Sequence, residues 1–164
     1  MNRWILIGGL IAATMACSCE QQPADSEKSA EPETLNTSYD AKLAEKLGAD
    51  DYGMKRYVMA FLKKGPNRDQ DSLEGIRLQR AHLDNIKRLA AAHKLIVAGP
   101  FMDDSEVRGI YIFNVETIEE AEALTQTDPA IQAGRLVMEL HEWYGSAALM
   151  ECAGIHKKIA KSEI

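Results

Sequence analysis

Alternation of hydrophobic and polar positions, with short apolar stretches between turn residues, predicts four β-strands in this chain. Residues 55–62 have strand-forming side chains on both sides, which predicts a strand buried on both faces. Three further strands are predicted at residues 94–98, 107–115 and 135–144. In the last strand the even positions from Leu136 to Leu140 are apolar and belong to the core. Its odd positions share the opposite face because side chains alternate with a period of two.

Apolar residues three and four positions apart predict helices between the strands. The longest spans residues 72–93, with Ser72 as its N-cap. Its apolar face is predicted to consist of Leu73, Ile76, Leu83, Ile86 and Leu89. Thr117 caps a second helix that ends near Gln126, and Asp128 before a proline starts a further helical turn. Shorter helices are predicted at residues 39–47 and 146–161.

The predicted order of elements is strand, helix, strand, strand, helix, strand. This order is the split βαβ pattern of ferredoxin-like α+β folds, in which two helices cover one face of an antiparallel sheet. Helices on one side leave the other sheet face apolar and uncovered. Two copies that pack these faces together bury both, so the pattern predicts a homodimer.

Charge is unevenly distributed along the 164 residues, whose formal net charge is −6. Residues 18–54 contain nine acidic residues and three lysines, so this segment alone carries a net charge of −6. Residues 55–164 contain sixteen acidic and fifteen basic residues and are nearly neutral. A nearly neutral domain lacks the basic surface typical of nucleic-acid-binding proteins, so we expect no nucleic-acid partner.

The first residues have the pattern of an export signal. After a short basic start, the apolar run covers about a dozen residues, whereas a bilayer-spanning helix needs roughly 20. The run leads to Ala16-Cys17, which resembles the lipobox of bacterial lipoproteins, whose cysteine is acylated and becomes the new N-terminus. Thr14 stands where those proteins usually have leucine, and Cys19 is an alternative acylation site.

An ordinary secretory signal, or an uncleaved anchor, is the alternative interpretation of the same residues. The lipobox interpretation predicts a lipid-anchored protein of the cell envelope that faces the periplasm or the exterior. Four segments follow from it. They are a signal peptide at 1–16, an acidic disordered tether with a short helix at 17–53, a folded domain at 54–145 and a helical tail at 146–164.

A series of short motifs lies in order along the predicted elements of residues 57–143. These motifs are His82-Leu83, Gly99-Pro100-Phe101, Arg108-Gly109 and Asp128-Pro129. In their order and spacing the chain resembles the YCII-related family, which are small dimeric α/β-barrel proteins. The resemblance implies a His–Asp pair as a proposed active site and, for a few relatives, activity on small ring compounds.

His82 and Asp128 are the candidate catalytic residues. His82 is four residues from both Leu78 and Ile86, which places it at the edge of the apolar face of its helix. An imidazole beside a carboxylate is suited to act as a general base near neutral pH. The resemblance implies Asp128 as that carboxylate. The alternatives are a buried structural histidine and an aspartate that only caps a helix.

Other residues are candidates for ligand binding. Glu139, His141 and Trp143 share one face of the last strand, where they would line a ligand cavity or form a polar seam between two copies. Arg80 and Arg108 are candidates for holding an anionic ligand, and Asn85 lies one turn after His82. One histidine and one glutamate are too few for a metal site, and no cofactor motif is present, so we expect neither.

Three functions fit these observations. The first is an enzyme that carries out proton transfer or elimination on a small cyclic organic compound, with His82 as the base and Asp128 orienting it. The second is a non-enzymatic module that binds a small ligand in the same cavity. The third is a structural dimer without a ligand.

Overall fold

This computed structural model of the protein describes residues 39–162. The predicted signal peptide, both candidate acylation sites and most of the predicted tether lie outside the described residues. The elements are α1 (Ala41–Leu47), β1 (Met54–Lys64), α2 (Ser72–Ala91), β2 (Leu95–Pro100), β3 (Val107–Phe113), α3 (Ile118–Thr125), α4 (Pro129–Gln132), β4 (Leu136–Ser146), a 3₁₀ turn (Ala147–Glu151) and α5 (Cys152–Ile159). Their order confirms the predicted α+β fold.

The four strands form one antiparallel sheet in the order β2-β3-β1-β4. β1 lies inside the sheet, where it pairs with β3 on one side and along its whole length with β4 on the other. Packing of α2 and α3 on one face of the sheet forms the core. Its buried residues are Val58, Ala60, Leu62, Leu89, Leu95, Tyr111, Phe113, Val115 and Ala121. Within residues 39–162, no helix combines the length and the apolar character needed to span a membrane.

Helix α2 differs from the prediction in its cap and in its buried face. Asp71, not Ser72, is the N-cap, and its carboxylate accepts the Glu74 N–H at 2.8 Å. The buried residues of α2 are Leu78, His82, Asn85 and Leu89. Leu73 and Ile76, which were predicted to face the core, are exposed. At 100° per residue Ile76 lies about 160° around the helix axis from Leu78, so the two cannot share one face.

Local signals placed the other helix ends correctly. The side chains of Thr117 and Asp128 cap α3 and α4, as predicted. Gly48 ends α1 in the left-handed conformation, with φ of +66°, which glycine adopts without strain. Strand β2 was predicted to end before Gly99, but it continues to Pro100, which pairs with Gly109 of β3 at the sheet edge.

We call the sheet face opposite α2 and α3 the open face. Strand alternation places there a set of mostly apolar residues: Met59, Phe61, Ile110, Val137, Glu139 and His141. Met59 and Phe61 are half-buried and Val137 is exposed. The face therefore keeps apolar surface that the helices of the core do not cover.

Candidate functional site

His82 and Asp128, which we call the dyad, are in direct contact. The imidazole Nδ1 of His82 lies 2.6 Å from Oδ2 of Asp128, a distance typical of a hydrogen bond to a charged group. His82 comes from the buried face of α2, and Asp128 comes from the cap of α4. The two residues are 46 positions apart in sequence, and the packing of α2 on α4 brings them together.

Asp128 has two structural tasks. Its Oδ1 accepts the backbone N–H of Ala130 at 2.9 Å and so caps α4, while its Oδ2 receives Nδ1–H of His82. The side chain is completely buried. A buried carboxylate is tolerated when its oxygens accept hydrogen bonds, as both do here. The cap and the orienting role are therefore compatible in one residue.

Tyr111 of β3 completes the arrangement, and the sequence analysis missed it. Its hydroxyl lies 3.3 Å from Nε2 of His82, and the two rings are nearly parallel, at 16°, with centroids 6.2 Å apart. A signal was present in the sequence. The alternation of β3 places Tyr111 with Phe113 on the core side, and a buried tyrosine hydroxyl usually has a hydrogen-bond partner.

The hydrogen bonds favour one tautomer of a neutral His82 ring. With the Asp128 carboxylate as acceptor, Nδ1 is the donor, and the lone pair of Nε2 in that tautomer accepts from the Tyr111 hydroxyl. Burial, and then the charge of Asp128, raises the pKa of the Tyr111 phenol well above its usual value. Tyr111 is therefore a donor at neutral pH.

The His82–Asp128–Tyr111 cluster is nearly closed to solvent. The exposed fractions are 8% for His82, 0% for Asp128 and 2% for Tyr111. In the part of the chain that the structure describes, one open groove beside α2 and another beside α3 and β4 are lined by other residues. A substrate therefore needs a movement of Tyr111 or of its surroundings to reach Nε2.

Asn85 lies one turn after His82 but belongs to a different network. Its Oδ1 accepts the guanidinium of Arg88 at 2.7 Å and the hydroxyl of Thr127 at 3.1 Å. The Arg88 guanidinium also donates to the Thr127 hydroxyl at 2.7 Å. This network joins α2 to the loop before α4, next to the aspartate of the dyad. Asn85 thus helps to hold the loop that precedes Asp128, and its side chain makes no hydrogen bond with the His82 imidazole in the described structure.

Glu139 and His141 lie on the open face, on the other side of the sheet from the dyad. Nε2 of His141 is 2.9 Å from Oε1 of Glu139, and Lys63 of β1 pairs with the other carboxylate oxygen. The Lys63 ammonium, and next the hydrogen bond from His141, lowers the pKa of the Glu139 carboxyl. His141 also packs edge-on against Phe61, with ring centroids 5.7 Å apart.

The remaining candidates make local contacts. The Trp143 ring packs over Gly145 and against Tyr57, with ring centroids 5.8 Å apart, so part of its surface is already used. The guanidinium of Arg108 contacts Asp104 and backbone carbonyls of the loop before β3. Within one chain, the structure brings His82 and Asp128 together and places the other candidate residues elsewhere. In residues 39–162 no three His, Cys, Asp or Glu side chains form a cluster that would hold a metal ion.

Comparison with known proteins identifies the same domain. The sequence model of the YCII-related domain matches residues 56–144. The uncharacterized protein YjpA of Bacillus subtilis (strain 168) is 31% identical over 62 residues, which cover 38% of this chain and 71% of YjpA. The 5-chloro-2-hydroxyhydroquinone dehydrochlorinase TftG of Burkholderia phenoliruptrix AC1100, solved with 2,5-dihydroxybenzoquinone, is 21% identical. The match covers 52% of this chain and 92% of the TftG chain, with a TM-score of 0.40.

Proposed function

The chain belongs to the YCII-related family, and on that premise we propose that it is an enzyme for proton transfer or elimination on a small cyclic organic compound. In this proposal His82 is the general base and Asp128 orients it. The observation that carries the proposal is the 2.6 Å contact between Nδ1 of His82 and the buried carboxylate of Asp128. A neutral imidazole with one nitrogen fixed by a carboxylate presents a basic lone pair on the other nitrogen.

The geometry supports the following division of tasks. Asp128 holds the proton on Nδ1 and stabilises the imidazolium that forms when Nε2 takes a proton from carbon. The electron pair of that C–H bond forms a C=C bond. Either the π pair of a neighbouring carbonyl then moves onto its oxygen to give an enolate, or a leaving group on the adjacent carbon departs with its bonding pair. The Tyr111 hydroxyl, which stays protonated at neutral pH, is placed to donate a hydrogen bond to a developing oxyanion once the substrate displaces it from Nε2.

Hydrogen–deuterium exchange at the carbon next to a ring carbonyl tests this proposal. Cyclohexanone in D₂O serves as the probe, and proton NMR follows the loss of its α-hydrogen signal with and without the protein. We expect the protein to accelerate exchange and His82→Gln to reduce the acceleration about 100-fold, the usual contribution of a general base. His156→Gln, which alters an exposed histidine of α5, is the matched control and should leave the rate unchanged.

A second readout separates catalysis from mere binding. Addition of the probe should shift the NMR signals of the His82 ring and leave those of His156 in place. Exchange that is equally fast in His82→Gln would contradict the catalytic role. A shift of the His82 signals without exchange would favour a non-enzymatic ligand-binding module.

A structural role of the cluster is the second candidate function. It is favoured by the burial of all three side chains, each of which has its hydrogen-bond partner within the domain. In that case His82 ties α2 to α4 and β3, and the protein is a structural dimer module of the cell envelope. It predicts that His82→Gln lowers stability, while the probe causes neither exchange nor a shift of the His82 signals.

We further propose that two copies join through the open face. Phe61 and Met59 are half-buried there, and Val137 is 40% exposed, in a region where Glu139 and His141 supply polar contacts. Light scattering on the protein as it elutes from a size-exclusion column should give twice the mass of one chain. Phe61→Lys should give the mass of one chain, and a native protein that elutes as a monomer would contradict the proposal.

Attachment to the membrane through an acylated Cys17 is also a proposal, which rests on Ala16-Cys17 and the apolar run before it. Mass spectrometry of the mature N-terminus should find an acylated cysteine at position 17, with Cys19 as the alternative. A mature chain that begins at another residue, or that carries no lipid, would contradict it.

A further inference from the structure

An open groove runs along the side of α2 that faces away from the core. Its volume is about 760 Å³, and it lies between the first turns of α2 and two flanking segments, residues 68–71 and Arg135. We call it the arginine groove. Six of its lining residues carry the argument: Arg68, Asp71, Ile76, Arg80, Leu83 and Arg135. His82 does not line it, so the groove is separate from the dyad.

The groove has an excess of positive charge. Arg68, Arg80 and Arg135 all line it, and within residues 39–162 none of the three forms an ion pair. The acidic residue of the lining, Asp71, is engaged with the Glu74 N–H as the cap of α2. With three guanidinium groups and the carboxylate of Asp71, the lining has a net charge of +2 and forms a local positive region.

Neutral acceptors hold two of the guanidinium groups in place. Arg68 donates to the backbone carbonyl of Arg135 at 3.1 Å, and Arg135 donates to the side-chain oxygen of Gln70 at 3.1 Å. The guanidinium of Arg135 also lies against Gly75 of α2. These contacts fix position without neutralising charge, and they leave other N–H groups of the planar fork for a ligand.

One side of the groove is apolar. Ile76 is 67% exposed, and Leu83, two helical turns further along, is half-buried on the same side of α2. Both side chains lie on the side of the helix opposite its buried face, so packing of the core does not require them to be apolar. Exposed aliphatic side chains beside arginines that form no ion pair within residues 39–162 match a ligand with an anionic end and an apolar body.

We propose that the arginine groove binds a small organic acid, with its carboxylate held by the arginines and its apolar part against Ile76 and Leu83. Guanidinium groups bind carboxylates in a bidentate, planar geometry. This assignment does not depend on the catalytic role of His82, since the dyad lies on the buried side of α2 and the groove on the other.

Titration calorimetry on the purified full chain tests the proposal with benzoate as the probe, because benzoate joins a carboxylate to a flat apolar ring. We expect saturable binding that weakens about tenfold in Arg80→Gln and in Arg135→Gln, as for the loss of one charge-assisted hydrogen bond. Arg77→Gln is the matched control on the same helix. Its guanidinium is bound by Glu74 at 2.6 and 2.7 Å and does not line the groove, so affinity should not change.

Two further ligands separate the parts of the proposal. Benzamide has the same shape without the charge, and inorganic phosphate has charge without the ring, and both should bind at least tenfold more weakly than benzoate. The proposal fails if benzoate does not saturate, if Arg77→Gln weakens binding as much as Arg80→Gln, or if either comparison ligand binds equally well. Asp128→Asn should leave the affinity for benzoate unchanged. This outcome would show that benzoate binding in the arginine groove does not require the dyad.

Discussion

Replacement of Asp128 by asparagine is the most direct probe of the buried cluster. The carboxylate accepts two hydrogen bonds, from the Ala130 N–H at 2.9 Å and from Nδ1 of His82 at 2.6 Å. An amide of the same shape has one acceptor oxygen and one NH₂ donor in place of two acceptors. The variant therefore satisfies the helix cap or the imidazole, but not both in the present arrangement.

The expected cost follows from the bond that is lost. A hydrogen bond to a charged group contributes about 1.5–3 kcal/mol, and a helix cap contributes about 1 kcal/mol. We expect Asp128→Asn to keep the cap, because asparagine caps helices as well as aspartate does, and to lower the free energy of unfolding by about 2 kcal/mol. Asp128→Ala loses both bonds and should lower it by about 3 kcal/mol.

Urea unfolding followed by far-UV circular dichroism measures these differences. Asp84→Asn removes the same charge from an exposed position of α2 and should stay within about 0.5 kcal/mol of the native protein. A free energy of unfolding for Asp128→Asn within the same margin would refute the reasoning, because it would mean that the carboxylate makes no net contribution in the folded state. The catalytic proposal adds that exchange activity falls in Asp128→Asn, since the amide no longer fixes the proton on Nδ1 of His82.

Two further predictions concern β3. Because burial raises the pKa of Tyr111, the folded protein keeps a proton that the unfolded chain loses above about pH 10, so stability should fall by up to about 1.4 kcal/mol per pH unit from there upward. Between about pH 9 and 11, the free energy of unfolding should fall less in Tyr111→Phe than in the native protein. In Tyr52→Phe, whose side chain is exposed, it should fall as in the native protein. Equal slopes in all three proteins would contradict this. Gly109→Ala should lower the free energy of unfolding by about 2 kcal/mol or more, because a Cβ there would lie 2.5 Å from the backbone oxygen of Gly99. A Cβ at Gly99 meets nothing within 4 Å, so Gly99→Ala should change the free energy of unfolding by less than about 0.5 kcal/mol. Similar urea midpoints for these two variants would show that β2 and β3 do not approach so closely.

The sequence predicted the parts of the fold whose cause is local. Thr117 and Asp128 cap helices through bonds to residues two or three positions away, and Gly48 ends α1 through its own backbone conformation. The order of strands and helices follows from such signals and from periodicity. Once the order is known, the split βαβ topology determines the sheet.

The orientation of α2 was not predictable in this way. Its sequence has apolar residues on two sides, and Ile76 on one side resembles Leu78 on the other. The side that is buried is decided by partners distant in sequence: His82 meets Asp128, and Asn85 meets Thr127. Two polar residues in the middle of a buried stripe reduce its apparent amphipathicity. The periodicity therefore placed Leu89 and Ile86 correctly at the core but wrongly included Leu73 and Ile76, which are exposed.

The buried dyad is difficult to explain by stability alone. Removal of a carboxylate from water costs free energy that its hydrogen bonds must offset, and apolar residues of similar size in its place would carry no such cost. Asp128 needs only one oxygen to cap α4, and a serine would serve that purpose without requiring a buried imidazole. The second oxygen and the tyrosine at Nε2 contribute something that a helix cap and an apolar core do not require, which is an imidazole with a fixed proton on one nitrogen and a basic lone pair on the other. That property has a use in proton transfer, and because the cluster is nearly closed, access to this lone pair requires a movement of Tyr111 or of its surroundings.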